Sequence, residues 1–191
     1  MSTDRIMAFS DGVLAIIITI MALELKAPHG ADLATLAQQW PIFAAYVLSF
    51  IYVGIYWNNH HHLFFSVEKV NGAVLWANMN LLFWLSLLPV ATAWMSDNHF
   101  ATLPLAVYGC VLLAAAFAYL LLVIALLRAQ GGGSVLADAV GKDVKGKISI
   151  VLYLAGIVGS FFSPWLGAGF YIVVALMWLV PDRRIEERLT N

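Results

Sequence analysis

The stretch that decides the fold is Arg5-Ile6-Met7-Ala8-Phe9-Ser10-Asp11-Gly12-Val13-Leu14-Ala15-Ile16-Ile17-Ile18-Thr19-Ile20-Met21-Ala22-Leu23-Glu24. Apolar residues dominate from Val13 to Leu23, and only Thr19 interrupts them. This pattern predicts a membrane-spanning helix with an acid, Asp11, in its first half. A carboxylate near the centre of such a helix costs roughly 2.5–3.5 kcal/mol on insertion scales. A residue of this kind usually faces a protein interior or water, so Asp11 is a functional candidate.

The composition predicts an integral membrane protein without a soluble domain of useful size. Of the 191 residues, 62% are hydrophobic and 11% are charged, whereas soluble domains carry about 25% charged residues. The net charge of −1 gives no case for nucleic acid binding, and the single cysteine cannot form a disulfide within the chain. Arg5 before an apolar segment resembles a secretory signal, but Asp11 interrupts that segment and no small-x-small cleavage site follows. We therefore expect a retained first span.

Windows without charged residues divide the chain into six predicted spans of one all-α transmembrane domain, residues 1–191. Nineteen helical residues rise about 28 Å, close to the hydrocarbon thickness of about 30 Å. The last two windows are short, so a re-entrant hairpin is the alternative to two full crossings there. The predicted spans are approximately 7–25, 40–64, 73–95, 103–127, 148–163 and 166–180.

The basic residues predict the orientation of these spans. With six crossings, only Lys26 among the ten lysines and arginines lies on the side opposite the termini. Cytoplasmic loops carry an excess of Lys and Arg, so both termini are expected in the cytoplasm. The basic residues on that side are Arg5, Lys69, Arg128, Lys142, Lys145, Lys147, Arg183, Arg184 and Arg188.

One stripe of the first helix has two interpretations. Ile16, Thr19, Ile20 and Leu23 are spaced i, i+3, i+4 and i+7, so they share a face. Ordinary helix packing explains such a stripe. A pore lining explains it too, because aliphatic rings can gate by dewetting and threonine hydroxyls offer oxygens to a cation. The periodicity alone does not choose between them.

The run His60-His61-His62 invites a metal interpretation, which helix geometry disfavours. Consecutive helical residues point about 100° apart, and single-helix ligand pairs use i, i+4 spacing. Hydrogen bonding is the better hypothesis, since a histidine at this depth can meet Ser10 and Asp11. Asn78 adds a polar group on the third span, where such groups usually bind neighbouring helices. No catalytic set and no cofactor or resident metal site stands out, so the chain is not expected to be an enzyme.

Three segments resemble one known family, the lysosomal-type potassium channels (transmembrane protein 175), in its bacterial branch. The pattern Arg5-x3-Phe9-Ser10-Asp11-Gly12, continued by Thr19 and Leu23-Glu24, resembles the first-helix signature of that family. Trp57-x2-His60-His61 and the stretch from Asn78 to Pro89 are also similar. The resemblance covers residues 5 to about 92, and the last three spans match mainly in topology and length.

The resemblance implies a six-helix subunit that forms a homotetramer with first helices lining a central cation pore. In the family, the aliphatic residue five positions after the motif aspartate forms the constriction, and that position here is Ile16. Further rings would fall at Ile20 and Leu23, and Thr19 is the threonine linked to potassium preference, where a transient ion would sit. The motif is thought to anchor the pore helix to its neighbours. The residues expected in that anchoring network are Arg5, Phe9, Ser10, Asp11, His60, His61 and Asn78.

Two features depart from what relatives or other potassium channels carry. His62 stands where many relatives have an arginine, and no Thr-Val-Gly-Tyr-Gly filter occurs. Selection would then rest on side-chain rings, so potassium is expected to permeate best and other monovalent cations more weakly. The expected location is a bacterial inner membrane, with the lipid bilayer as the surroundings. The rival hypotheses are a proton-coupled transporter using Asp11 and a second-helix histidine, and a membrane enzyme or metal protein.

Overall fold

The computed structural model describes residues 3–65, 67, 70–130 and 144–179. These residues are helical apart from short connections, which agrees with the predicted all-α class. Four of the spans they form are long and apolar enough to cross a membrane, namely Thr3–Leu23, Trp40–Phe65, Gly72–Asp97 and Thr102–Gln130. The helices are α1 (Thr3–Leu23), α2 (Leu33–Gln38), α3 (Trp40–Phe65), α4 (Gly72–Ser86), α5 (Leu88–Asp97), α6 (Thr102–Gln130), α7 (Val144–Ser160) and α8 (Pro164–Leu179).

Helix α1 packs against α3, α4 and α5 along one face only. The side chains of this face follow each other at intervals of three or four residues, the spacing that places them on one side of a helix. The opposite face of α1 is exposed along most of its length. The buried residues are Ile6, Ser10, Leu14, Ile17 and Met21.

The predicted third span consists of two helices, α4 and α5, that meet at Leu87. Pro89 lies in the first turn of α5, where its missing N–H needs no partner. Asn71 begins α4 by accepting a hydrogen bond from the backbone N–H of Val74 at 3.0 Å. The break thus lies beside the proline, and the two helices together still form one apolar segment, Gly72–Asp97.

The centre of the bundle contains hydrogen-bonded hydroxyl groups among its apolar side chains. The Ser49 hydroxyl lies 2.7 Å from that of Thr92 and 3.0 Å from that of Tyr108. The Tyr52 hydroxyl donates to the backbone carbonyl oxygen of Tyr171 at 2.6 Å. These bonds join α3 to α5, α6 and α8, and satisfying buried polar groups in this way avoids a large desolvation cost.

Helices α7 and α8 form an antiparallel hairpin that extends along most of α3. Near the α7–α8 turn, Trp165 stacks on Trp40 at the start of α3, with ring centroids 6.1 Å apart. At the other end, the Trp178 indole N–H donates to the Ser149 hydroxyl at 2.8 Å, and Trp178 shares a cavity with Asn59 of α3. The segment of α3 between Trp40 and Asn59 rises about 28 Å.

The turn between α5 and α6 has two non-glycine residues with positive φ. His99 has φ of 49° and Phe100 has φ of 60°. The Phe100 N–H donates to the carbonyl oxygen of Met95 at 2.9 Å, which closes the end of α5. The Phe100 ring is buried and stacks on Trp40 at a centroid distance of 5.7 Å, so packing offsets the backbone strain of this turn.

The predicted loop between the fourth and fifth spans lies largely outside the described residues. The same holds for several basic residues that carry the predicted orientation, namely Lys69, Lys142, Arg183, Arg184 and Arg188.

Candidate pore helix and its anchoring network

A buried hydrogen-bonded chain links the first, third and fourth helices. The Asn78 side-chain amide donates to the Ser10 hydroxyl at 3.0 Å. The Asn78 carbonyl oxygen lies 2.8 Å from Nε2 of His60, and because that oxygen can only accept, Nε2 must carry the proton. All three side chains are buried. Three residues from separate helices are thus held in one geometry within the apolar bundle.

Only one of the three consecutive histidines enters this chain. His60 is 2% exposed and its ring lies 4.5 Å, centroid to centroid, from that of Phe64. His61 is exposed and stacks on Trp57 at a centroid distance of 6.1 Å. Consecutive side chains on a helix point in different directions. Only His60 of the three histidines therefore lies on the buried face of α3.

Asp11 is held by a tryptophan. The indole N–H of Trp57 donates to the Asp11 carboxylate at 3.1 Å. A charged acceptor makes this hydrogen bond stronger than a neutral pair would. The Asp11 side chain lies at the exposed edge of α1, so this bond joins α1 to α3 outside the buried Ser10–Asn78–His60 chain.

The structure does not bring every predicted network residue together. Arg5 is exposed and makes no hydrogen bond or ion pair with another residue in the described part of the chain, while the Phe9 ring is 53% exposed. Trp57, in contrast, was expected from sequence only as part of a segment that resembles the family, and not among the network residues. Its position one helical turn before His61 was the available signal, since residues at i and i+4 share a face.

The four predicted pore residues share the exposed face of α1. Ile16 is 60% exposed, Ile20 43% and Leu23 75%, and Thr19 is also exposed. Large aliphatic side chains on a single subunit face either lipid or another subunit. The Ser10 and Asp11 contacts orient the helix so that this stripe points away from the remainder of the subunit.

The hydroxyl of Thr19 has a defined orientation. It donates to the backbone carbonyl oxygen of Ala15 at 2.9 Å. Its proton is therefore used within the helix, and the lone pairs of the oxygen remain available as acceptors. An exposed hydroxyl of this kind can contribute an oxygen to a partly dehydrated cation. Within the described residues, no group of three His, Cys, Asp or Glu side chains is placed to hold a metal ion.

Comparison with known proteins assigns the family. Residues 5–89 match the model of the family described as "Endosomal/lysosomal potassium channel TMEM175". A protein named potassium channel HX13_20290, from Chryseobacterium, is 56% identical over 189 residues, which cover 99% of this chain and 98% of that protein. This chain belongs to the TMEM175 family. Its assignment to a channel family confirms the prediction that it is not an enzyme.

Relatives from Chamaesiphon minutus also match nearly the whole chain. The potassium channel Cha6605_3372 is 32% identical over 188 residues, covering 91% of this chain and 92% of that protein. The crystal structure of a lysosomal potassium-selective channel TMEM175 homologue from this organism superposes with a TM-score of 0.82 at 30% identity, covering 93% of this chain and 96% of that chain. The all-helical fold is therefore that of a TMEM175 channel, and the predicted resemblance is confirmed.

Proposed function

We propose that this protein is a passive, potassium-preferring cation channel of a bacterial inner membrane. The observation that carries the proposal is the exposed stripe of α1, which contains three large aliphatic side chains and one threonine hydroxyl. The chain also belongs to a family of channels. Relatives that span nearly the whole chain are named potassium channels. Other monovalent cations permeate more weakly.

The subunits assemble as a homotetramer with α1 on the axis. Four copies of the Ile16 side chain then form the hydrophobic constriction, with further rings at Ile20 and Leu23. Exposed fractions of 60% and 75% for Ile16 and Leu23 support this arrangement, because these side chains are left without neighbours by their own subunit. Aliphatic rings of this kind regulate permeation by dewetting.

Potassium preference comes from the ring of Thr19 hydroxyls. The bond to Ala15 fixes each oxygen as an acceptor, so four such oxygens can replace part of the hydration shell of a cation held transiently there. One ring of four side-chain oxygens offers fewer ligands to a cation than several stacked rings of backbone carbonyls. We therefore expect a modest preference for potassium over sodium.

The network at Ser10 and Asp11 anchors the pore helix. The buried Ser10–Asn78–His60 chain and the Asp11–Trp57 bond join α1 to α3 and α4, so the orientation of the stripe depends on them. Arg5, Phe9 and His61 contribute around this network through surfaces that the single subunit leaves exposed.

Each subunit crosses the membrane six times with both termini in the cytoplasm. Four long apolar spans account for four crossings. The α7–α8 hairpin supplies two short ones, since its turn reaches Trp40 and its other end reaches the level of Asn59. The excess of basic residues on the side of the termini supports this orientation.

Reversal potentials under bi-ionic conditions test the proposal. The protein is reconstituted in liposomes or a planar bilayer, with potassium on the outside and an equal concentration of sodium on the inside. A preference for potassium should make the reversal potential positive on the inside. Ile16→Asn should wet the constriction and raise the conductance, whereas Val151→Asn, at an exposed position on α7, is the matched control. Equal or greater sodium permeability would overturn the potassium preference. A flux that saturates and stops without a proton gradient would favour the proton-coupled transporter.

A further inference from the structure

A cavity of about 130 Å³ lies between α3, α6, α7 and α8, and no described residue of α1 lines it. From Gly146 to Tyr153, both of which line the cavity, α7 rises about 10 Å. The cavity is thus a slot that begins near the first turn of α7 and runs into the membrane-spanning part of the bundle. Its volume is roughly ten times the 10–15 Å³ that one water molecule requires.

The walls of this slot suit an apolar occupant. Aromatic and aliphatic side chains dominate the lining, and several of its polar groups already have partners. The Tyr52 hydroxyl donates to a backbone carbonyl at 2.6 Å, and the Ser149 hydroxyl donates to the carbonyl oxygen of Lys145 at 2.9 Å. The Tyr119 hydroxyl donates to the carbonyl oxygen of Asn59 at 3.3 Å. A buried water needs two to four polar partners, so hydrocarbon fits these walls better than water.

The mouth of the slot is positively charged. Lys147 is exposed and belongs to the lining. Lys145 stands nearby, with its ammonium group 5.8 Å from the centre of the Trp178 ring. The four helices that line the slot, α3, α6, α7 and α8, contain no Asp or Glu. An anion at the mouth therefore meets the Lys147 side chain, and these four helices contribute no acid beside it.

We propose that this slot holds one acyl chain of an anionic phospholipid, whose phosphate lies beside Lys147. A hydrophobic slot with a cationic rim matches an acyl chain with an anionic head. The rim stands at the start of α7, where phospholipid headgroups of that leaflet are found, and basic pockets between transmembrane helices bind anionic headgroups. The lipid would wedge between α3 and the α7–α8 hairpin, on the side of the subunit away from the α1 stripe. This inference does not depend on ion conduction.

Native mass spectrometry of the purified full-length protein tests the head-group contact. Phosphatidylglycerol and phosphatidylcholine with identical acyl chains are the probes. Wild-type protein should retain phosphatidylglycerol preferentially. Lys147→Ala should lower its affinity roughly fivefold, the factor expected for one basic residue at a membrane surface, and leave phosphatidylcholine unchanged. Lys26→Ala, which removes an exposed lysine from the loop after α1, should behave as wild type. Equal retention of the two lipids, or equal behaviour of the two variants, would overturn the proposal.

Two further measurements test the acyl-chain slot. Ala116→Phe fills the cavity and should reduce retention of both lipids, whereas Leu121→Phe, at an exposed position on the same helix, should not. A phosphatidylglycerol with a diazirine in its acyl chain should cross-link to Ile150 or Tyr153 in wild-type protein, so the test stands even where Ala116→Phe fails to fold. Labels confined to residues that do not line the cavity would refute the slot. Saturable oleate binding without phosphatidylglycerol binding would assign it to free fatty acids and overturn the proposal.

Discussion

Replacing Asn78 with leucine should destabilise the protein by removing both hydrogen bonds that this residue makes. Asn78 donates to Ser10 at 3.0 Å and lies 2.8 Å from the ring nitrogen of His60. Leucine has the same number and branching of side-chain heavy atoms as asparagine, so the substitution leaves no cavity and removes only the hydrogen bonds. Interhelical hydrogen bonds in membranes contribute about 0.6 kcal/mol on average and up to about 1.7. Leaving a buried group unpaired costs about 1–3 kcal/mol. The two estimates together give about 1–3 kcal/mol for Asn78→Leu.

Thermal unfolding of the purified protein measures this cost. A loss of this size should lower the Tm by on the order of 5 °C for a chain of this length. Asn58→Leu is the matched control, because Asn58 is exposed on α3. Ser10→Ala combined with Asn78→Leu should cost less than the sum of the single changes, since both remove the same bond. A Tm for Asn78→Leu equal to that of Asn58→Leu would refute the assignment of Asn78 to the anchoring network.

Three other predictions concern the ends of helices and one tight contact. His99→Gly should raise stability by up to about 1 kcal/mol in chemical or thermal denaturation, because His99 has φ of 49° and glycine adopts that conformation without strain. Gly167→Ala should lower stability by about 1–3 kcal/mol, because the added methyl group would lie 2.8 Å from the carbonyl oxygen of Gly156. Gly169→Ala is the control, because a methyl group there meets nothing within 4 Å. Equal Tm values for the two variants would contradict this prediction. Hydrogen bonds that the Asp32 carboxylate accepts from the side chain and backbone of Thr35 lower its pKa below the usual 3.8. The protection from hydrogen exchange that this cap gives the α2 amides should therefore be fully present above pH 3.8 and fall as the pH drops through the lowered pKa. Protection that does not change with pH would argue against this cap.

The sequence predicted the first helix and the grouping of four residues on one of its faces, because one periodic pattern determines both. Alternation of buried and exposed side chains every three or four residues is a local property of α1, so residues 5–24 contain the information. The stripe Ile16, Thr19, Ile20 and Leu23 follows directly from spacing, and the structure places all four on the exposed face. What covers that face depends on the other subunits, and the residue pattern of one chain does not show how subunits are arranged.

The contacts of the network were harder to predict because they join distant segments. Three consecutive histidines are chemically equivalent in the sequence, and only the packing of α3 decides that His60 is buried. The sequence partly indicates the buried face of α3, because Tyr52, Tyr56 and His60 are each four residues apart and therefore share one side of the helix. Trp57 bonds to an acid 46 residues earlier, and an aromatic residue near a helix end has the same sequence signature as an interfacial anchor. Long-range pairing of this kind needs the relative rotation of two helices, which local patterns do not define.

The break between α4 and α5 at Leu87 is another feature that local sequence patterns do not define. A proline within a span either kinks the helix or ends it, because proline removes one helical hydrogen bond. Whether the chain bends or ends a helix depends on how the neighbouring helices pack. In the structure α4 ends at Ser86 and α5 begins at Leu88, with Leu85 and Leu88 both fully buried.

The central claim is that four copies of the α1 stripe surround the ion path. Current block by Cd²⁺ in an Ile16→Cys channel tests it most directly, in a Cys110→Ser background because the native cysteine is exposed. Thiolates from a ring of cysteines converge on one soft metal ion, so Cd²⁺ should block the Ile16→Cys current at micromolar concentration and a chelator should restore it. Val151→Cys, with an equally exposed side chain on α7, should conduct unblocked. An Ile16→Cys current as insensitive to Cd²⁺ as that of Val151→Cys would contradict the account.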